Sequence, residues 1–193
     1  MNSIKIMLLE FIRNQIYEIK GWCRGRNGYA RIPLVLLFMY IFFRHLTSID
    51  YQSILHPLNL GIHEFGHLIF SFAGQFINIL GGPLIEVAAP FAGMWNFYVQ
   101  KDYFSLMLCL GWLSTALFSC ARYVGDARSM ELPLVSPFGT ACHDWNYLLG
   151  EMHILPWDHA ISSFIGSIAC LSMVVCLWAS GWIIWSMINQ PNK

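Results

Sequence analysis

The spacing of apolar residues along the chain changes near residue 31. Residues 2–20 place Ile, Met, Leu and Phe at helical spacing, with Lys5, Arg13 and Lys20 between them. This pattern predicts an amphipathic helix that lies on a membrane surface. A basic turn follows it, so the segment 1–31 is expected to form a cytosolic or interfacial unit.

After residue 31, long apolar runs predict one membrane-embedded, all-α domain over residues 32–193. Four of the runs are predicted to cross the membrane, and a fifth, at residues 75–99, is ambiguous. The chain is therefore expected to be a polytopic membrane protein with four or five transmembrane helices. The four predicted spans are residues 32–47, 54–74, 103–122 and 161–188.

Residues 75–99 are apolar, but glycine and proline interrupt them at Gly81-Gly82-Pro83 and again at Pro90. They predict either a kinked span or a re-entrant segment, since a broken backbone is tolerated at membrane depth where protein or a cavity covers it. The re-entrant form is favoured, because it would bring the ends of the neighbouring segments to one side of the membrane. Glu86 in this segment is expected to line a cavity or to pair with a base.

Composition and charge support the membrane assignment. Of the 193 residues 56% are hydrophobic and only 11% charged, whereas soluble domains carry about 25% charged residues. A nucleic-acid-binding protein, which needs a basic surface, is excluded. The net charge of zero is a cancellation: residues 1–44 hold seven bases and two acids, and residues 45–193 hold four bases and nine acids. The basic N-terminus predicts a multi-pass protein of a plasma (inner) membrane, with the N-terminus cytosolic and the lipid bilayer as its surroundings.

The sequence His63-Glu64-Phe65-Gly66-His67 is an H-E-x-x-H motif inside an apolar run. On a helix its two histidines lie on one face, so both imidazoles can bind one metal ion, for which Zn²⁺ is the expected choice. Glu64 can then act as the catalytic general base that takes a proton from a metal-activated water. Two histidines and a glutamate in an apolar run are costly unless something binds them, which favours a metal site.

On this motif and its multi-span layout, the chain resembles the site-2 protease family of intramembrane zinc metalloproteases. The resemblance implies cleavage of a peptide bond in or near the membrane, with a membrane protein or peptide as substrate. In that family an aspartate from a later span completes the zinc site, in an Asn-Pro-Asp-Gly or Leu-Asp-Gly setting that this chain lacks. The nearest equivalents here are Gly125-Asp126-Ala127 and His143-Asp144-Trp145.

Several residues are candidates for the third zinc ligand. His143 ranks first, giving a site of three histidines, with Asp144 either as the carboxylate that orients a neighbouring histidine or as an alternative ligand itself. Asp126 ranks close behind, because it lies at the end of a predicted span. Cys142 is a further candidate.

Each of these acidic candidates also has a structural interpretation. Asp126 could form a salt bridge with Arg122 or Arg128, which lie within about one helical turn. Asp144 could cap a helix that begins near it.

The function that the sequence favours is therefore a membrane-embedded zinc-dependent hydrolase, and more specifically a peptidase. The alternative is a non-catalytic membrane metal-binding or ion-transport protein that uses the same His/Glu cluster. A structural membrane subunit with a buried polar cluster is a third hypothesis. Glu64 discriminates between them, because only a hydrolase needs it as a base.

Overall fold

A computed structural model describes residues 2–133 and 143–189, and within these ranges the chain is helical and has no β-strand. Short 3₁₀ turns at Tyr29–Arg31 and Leu155–Trp157 precede the second and last helices. The helices are α1 (Asn2–Cys23), α2 (Ile32–Thr47), α3 (His56–Ile69), α4 (Gln75–Val99), α5 (Tyr103–Gly125), α6 (Asp144–Glu151) and α7 (Asp158–Asn189).

Four of these helices, α2, α4, α5 and α7, are long and apolar enough to cross a membrane. This confirms the predicted all-α, multi-pass fold. Large apolar side chains are exposed on the outer surface of the four helices, as expected for residues that face lipid. Examples are Leu36, Phe91, Trp178 and Trp185.

Local sequence signals set several of the helix boundaries. Pro33 and Pro57 lie in the first turns of α2 and α3, where the missing N–H of proline costs no hydrogen bond. The Asp102 side chain caps α5 by accepting hydrogen bonds from the backbone N–H and the hydroxyl of Ser105. Gly74 has φ of 87° in the turn between α3 and α4, a conformation that glycine adopts without strain.

The span predicted at residues 54–74 is wrong in its extent. The helix found there, α3, has 14 residues and is therefore about 21 Å long, short of the ~30 Å hydrocarbon core of a bilayer. It begins part-way along the bundle, where Asn59 accepts a hydrogen bond from Trp112 near the middle of α5. The hydropathy pattern could not reveal this, because α3 is apolar whether or not it spans.

The re-entrant form expected for residues 75–99 is also wrong, because α4 is one continuous helix with Pro83 and Pro90 inside it. A connection of residues 100–102 leads to α5, which runs back antiparallel to α4, so Asp126 lies at the same end of the bundle as Gln75. Both α2 and α3 run towards this same end. Because α2 ends at this end of the bundle and α3 begins part-way along it, the chain turns back into the bundle within residues 48–55.

The core of the bundle is the contact between α5 and α7, where small residues bring the two backbones close together. The Ser114 hydroxyl donates to the carbonyl of Ala169 over 2.7 Å, and the Ser162 hydroxyl donates to the carbonyl of Ala121 over 2.7 Å. Small residues and interhelical hydrogen bonds of this kind stabilise helix pairs in membranes, where apolar burial offers little. The pair of α5 and α7 is thus the part of the bundle against which the helices with the polar cluster pack.

The N-terminal segment forms the predicted helix, and its last turns contact the bundle. Cys23 is fully buried against Ile183, Met187 and Tyr103, at the end of the bundle where α4 joins α5. The segment is thus packed against the membrane domain at the end opposite to Gln75.

Candidate metal centre

Three side chains from two helices converge in the half of the bundle that contains Gln75. His63 and His67, one turn apart on α3, point their Nε2 atoms at one carboxylate oxygen of Asp144 on α6. Asp144 Oδ2 lies 2.8 Å from His63 Nε2 and 3.3 Å from His67 Nε2. Within the described residues, this is the group whose ligand atoms lie close enough together to hold a metal ion.

The other ring nitrogen of each histidine has a hydrogen-bond acceptor. His63 Nδ1 lies 3.0 Å from Glu86 Oε2, and His67 Nδ1 lies 2.9 Å from the backbone carbonyl of Asn78. Both acceptors are on α4, and each favours a proton on the Nδ1 atom of its histidine. The Nε2 atoms are thereby directed at the shared point, which is how metal-binding histidines are commonly oriented.

Because the cluster is buried, the pKa of each of its groups depends strongly on its neighbours. Burial alone would lower the pKa of His63, but the hydrogen bonds and negative charges of Asp144 and Glu86 outweigh burial and raise the pKa to about 9. Burial would raise the pKa of Asp144, but its hydrogen bonds to His63 and His67 hold that pKa below its usual range. Without a metal the protonated imidazole of His63 is therefore held between two carboxylates.

Glycines at the crossing of α3 and α4 make room for the histidines. A Cβ atom on Gly66 would overlap the carbonyl of Gly81, so the two helices touch backbone to backbone here. A Cβ on Gly82 would lie 2.5 Å from His67 Nε2 and 2.7 Å from His63 Nε2. The space in front of both ligand nitrogens therefore exists because position 82 carries no side chain.

Asp144 is positioned by the residues around the start of α6. Its backbone N–H donates to the Tyr123 hydroxyl on α5 over 3.1 Å. The preceding residue, His143, caps α6 by accepting the N–H of Asn146 at Nδ1. Asn146 in turn donates to the carbonyl of Ala127 over 2.8 Å. These contacts fix the first turn of α6 against the end of α5.

The structure therefore differs from the predicted order of third ligands, because Asp144 and not His143 reaches the two histidines. His143 Nε2 instead faces Asp126 Oδ2 over 3.2 Å, since the capping role turns this ring towards the end of α5. The prediction that Asp144 caps the helix is also wrong, because the cap is His143. Cys142 lies outside the described residues.

Asp126 is neither in the metal-binding group nor in a salt bridge with a neighbouring arginine. It accepts hydrogen bonds from the Ser129 hydroxyl and from the backbone N–H groups of Glu131 and Leu132, in addition to the contact with His143. Burial opposes its ionisation, but these hydrogen bonds lower its pKa. The two candidate arginines pair elsewhere: Arg122 with Asp50 and Arg128 with Asp158. Asp126 therefore stabilises the loop after α5.

Glu64 lies beside the cluster and lines the same cavity as His63, His67 and Asp144. The cavity has a volume of about 1560 Å³ and extends to the segments 48–53 and 129–133 at the end of the bundle. The Glu64 side chain is half-buried, and it is not part of the group that could hold the metal. It is thus free to contact a molecule that enters the cavity.

One donor–donor distance in this group matches a tetrahedral metal ion. Ligands about 2.0–2.1 Å from a tetrahedral Zn²⁺ are about 3.3 Å apart, which is the distance between His67 Nε2 and Asp144 Oδ2. The shorter distance of 2.8 Å from His63 Nε2 to Asp144 would have to open by about 0.5 Å on the same argument. Two imidazoles and one carboxylate leave a fourth position for water or substrate.

Three contributors to the site were not assigned a role by the sequence. These are the Gly82 backbone, the Asn78 carbonyl and the Tyr123 hydroxyl. Glu86 was expected to line a cavity or pair with a base, and it does pair with His63. The signal that could have revealed Gly82 is the Gly81-Gly82 pair in an apolar helix, since adjacent glycines there cost stability unless another backbone approaches closely.

Comparison with known proteins adds no assignment, because the chain matches no protein-family model, no curated protein and no solved structure.

Proposed function

We propose that this chain is a membrane-embedded zinc-dependent hydrolase, and that it acts as a peptidase on a membrane protein or peptide. The observation that supports the proposal most strongly is the convergence of His63 Nε2, His67 Nε2 and Asp144 Oδ2, with both Nδ1 atoms held by acceptors on α4. Two imidazoles, one carboxylate and an open position form a ligand set typical of catalytic zinc. The peptide substrate is inferred from the resemblance of the motif.

In this proposal each residue has a separate task. A bound Zn²⁺ would lower the pKa of a coordinated water and polarise a carbonyl. Glu64 accepts the proton of the attacking water and then delivers it to the leaving amine. Glu86 and the Asn78 carbonyl hold the histidines in the required tautomer.

The test is a comparison of bound metal and of peptide hydrolysis in purified, detergent-solubilised protein. Wild-type protein is expected to contain one zinc per chain, and His67→Ala to lose it. His159→Ala is the matched control, because His159 lines the same cavity outside the metal-binding group. Absence of stoichiometric zinc in wild type, or its retention in His67→Ala, would contradict the metal site.

Glu64→Gln separates the hydrolase from a metal-binding or transport protein. The variant is expected to keep its zinc and to lose hydrolysis of a pool of fluorescence-quenched peptides by a factor of at least about 100. Glu131→Gln is the control, since Glu131 is an exposed acid that lines the same cavity. Hydrolysis at the wild-type rate in Glu64→Gln would refute the assigned role of this residue.

A further inference from the structure

The fold places the metal-binding group and the basic part of the chain towards opposite ends of the bundle. The start of α4, the end of α5, and α6 form one end, here called the site end. The end of α1, the connection at residues 100–102 and the last turns of α7 form the other, here called the basic end, where Cys23 packs between Tyr103 and Met187. In the group formed by His63, His67 and Asp144, Asp144 lies at the site end and His63 reaches inward to Glu86.

The metal-binding group lies between the middle of the bundle and the site end, since His63 contacts Glu86 midway along α4 and Asp144 lies at the end of α5. Asp144 bonds through its backbone to Tyr123, which is within one turn of the last residue of α5. The cavity extends outward from there to Asp50 and Glu131 in the loops. A molecule in the aqueous phase at the site end can therefore reach the cavity without crossing the bundle.

Lysine and arginine are distributed unequally between the two ends. In the part of the chain that the structure describes, five of these residues lie between the last turn of α1 and the start of α2 or in the connection after α4: Lys20, Arg24, Arg26, Arg31 and Lys101. Three lie near the site end: Arg44, Arg122 and Arg128. Lysine and arginine near the ends of spans favour the cytosolic side, whereas acidic residues have little influence on orientation.

We infer that the metal site opens to the non-cytosolic face of the membrane. The substrate of the proposed hydrolase is then a polypeptide segment at or just outside the membrane surface on that face. This statement about the substrate rests on the proposed function. A segment in the cytosol would have to pass through the half of the bundle that contains the basic end to reach Glu64. The orientation itself depends on the fold and on the charge distribution, not on catalysis.

Cysteine labelling with a membrane-impermeant maleimide on sealed cells that express the full chain tests the orientation. Met152→Cys marks the site end and Gln100→Cys marks the basic end, and both positions are exposed. The unsubstituted chain gives the background from its own cysteines. Met152→Cys is expected to react in sealed cells at least tenfold more than Gln100→Cys, which should react only after the membrane is permeabilised.

The opposite pattern would overturn the inference. Equal labelling of both positions in sealed cells would overturn it as well, since the chain would then insert in both orientations. Because neither Met152 nor Gln100 belongs to the proposed catalytic or metal-binding residues, the result does not depend on activity.

Removal of zinc by external EDTA, which does not cross membranes, tests the site itself. Right-side-out vesicles are expected to lose their protein-bound zinc, and inverted vesicles to retain it until they are lysed. Loss of zinc from inverted vesicles alone would overturn the inference. If purified wild-type protein holds no zinc at all, the proposed function fails, while the labelling still decides the orientation.

Discussion

Substitution of Gly82 by alanine is the smallest change that tests the geometry of the metal centre. Gly82 lies on α4, and it is neither a proposed ligand nor a neighbour of one in sequence. An added methyl group would lie 2.5 Å from His67 Nε2 and 2.7 Å from His63 Nε2. The methyl group would thus enter the space that a metal ion needs, although no donor atom is removed.

The expected magnitude follows from these distances. Ordinary van der Waals contacts begin near 3.4 Å, so the two nitrogens would have to retreat by about 0.9 Å and 0.7 Å on that criterion. Metal–ligand distances tolerate shifts of only about 0.2 Å. Loss of an outer hydrogen-bond partner of a metal-binding histidine typically costs 10–100-fold in affinity, and direct displacement of two ligands should exceed this. Gly82→Ala should therefore bind zinc more than about 100-fold more weakly, or about 2.7 kcal/mol.

A competition titration with a fluorescent zinc chelator on detergent-solubilised protein gives the affinity. The matched control is Gly61→Ala on α3, where an added Cβ meets nothing within 4 Å. This variant should bind zinc as the wild type does, and it should unfold at a higher temperature because alanine stabilises a helix by up to about 1 kcal/mol over glycine. Wild-type zinc affinity in a folded Gly82→Ala protein would refute the proposed arrangement of the two histidines.

Three further predictions concern the carboxylates and the pH. Asp144→Ala should weaken zinc binding at least about 100-fold. Asp126→Ala should mainly lower stability, by about 1–3 kcal/mol, because buried donors lose their acceptor. Zinc titration and thermal unfolding distinguish the two variants, and equal zinc affinity in wild type and Asp144→Ala would exclude Asp144 as a ligand. Glu86→Ala should weaken zinc binding by about 10–100-fold, and no change in the same titration would mean that Glu86 does not orient His63. The pKa of metal-free His63 is raised to about 9, and the hydrogen bond to Asp144 raises the pKa of His67 as well. Zinc must displace the proton of His63 below pH 9, so affinity should rise at least about tenfold per pH unit from pH 7 towards 9. A flat profile would contradict this.

The sequence predicted the helices well wherever hydrophobicity alone decides the structure. The span predicted at residues 32–47 matches α2 to the residue, because a proline at its start and basic residues in its last turn mark the limits of the apolar run. The extent of α3 was missed because residues 54–74 are apolar whether or not their helix spans the membrane, so hydropathy does not show where that helix begins and ends. The re-entrant expectation for residues 75–99 gave too much weight to Pro83 and Pro90, which neighbouring helices accommodate in α4.

The candidate site was predicted in part as well, because local periodicity determines only some of its contacts. His63 and His67 share one face by helical periodicity alone, so the sequence suffices to pair them. His143 and Asp144 are adjacent, and which of them faces the histidines depends on how α6 is anchored to Tyr123 and Ala127. Those contacts join residues about twenty positions apart, and nothing in the local pattern specifies them.

The turn at Gly74 has a consequence for the order in which the centre assembles. His63 and Glu86 are separated by 23 positions, but His63 and Asp144 by 81. The histidines and the groups that orient them therefore belong to one short helical hairpin, which can form as soon as α4 has left the ribosome. Asp144 is synthesised only after all of α5, so we expect it to meet a pair of imidazoles that are already oriented. The hairpin is thus the part of the centre that is local in sequence, and we expect the docking of α6 to be the late step that completes the metal site.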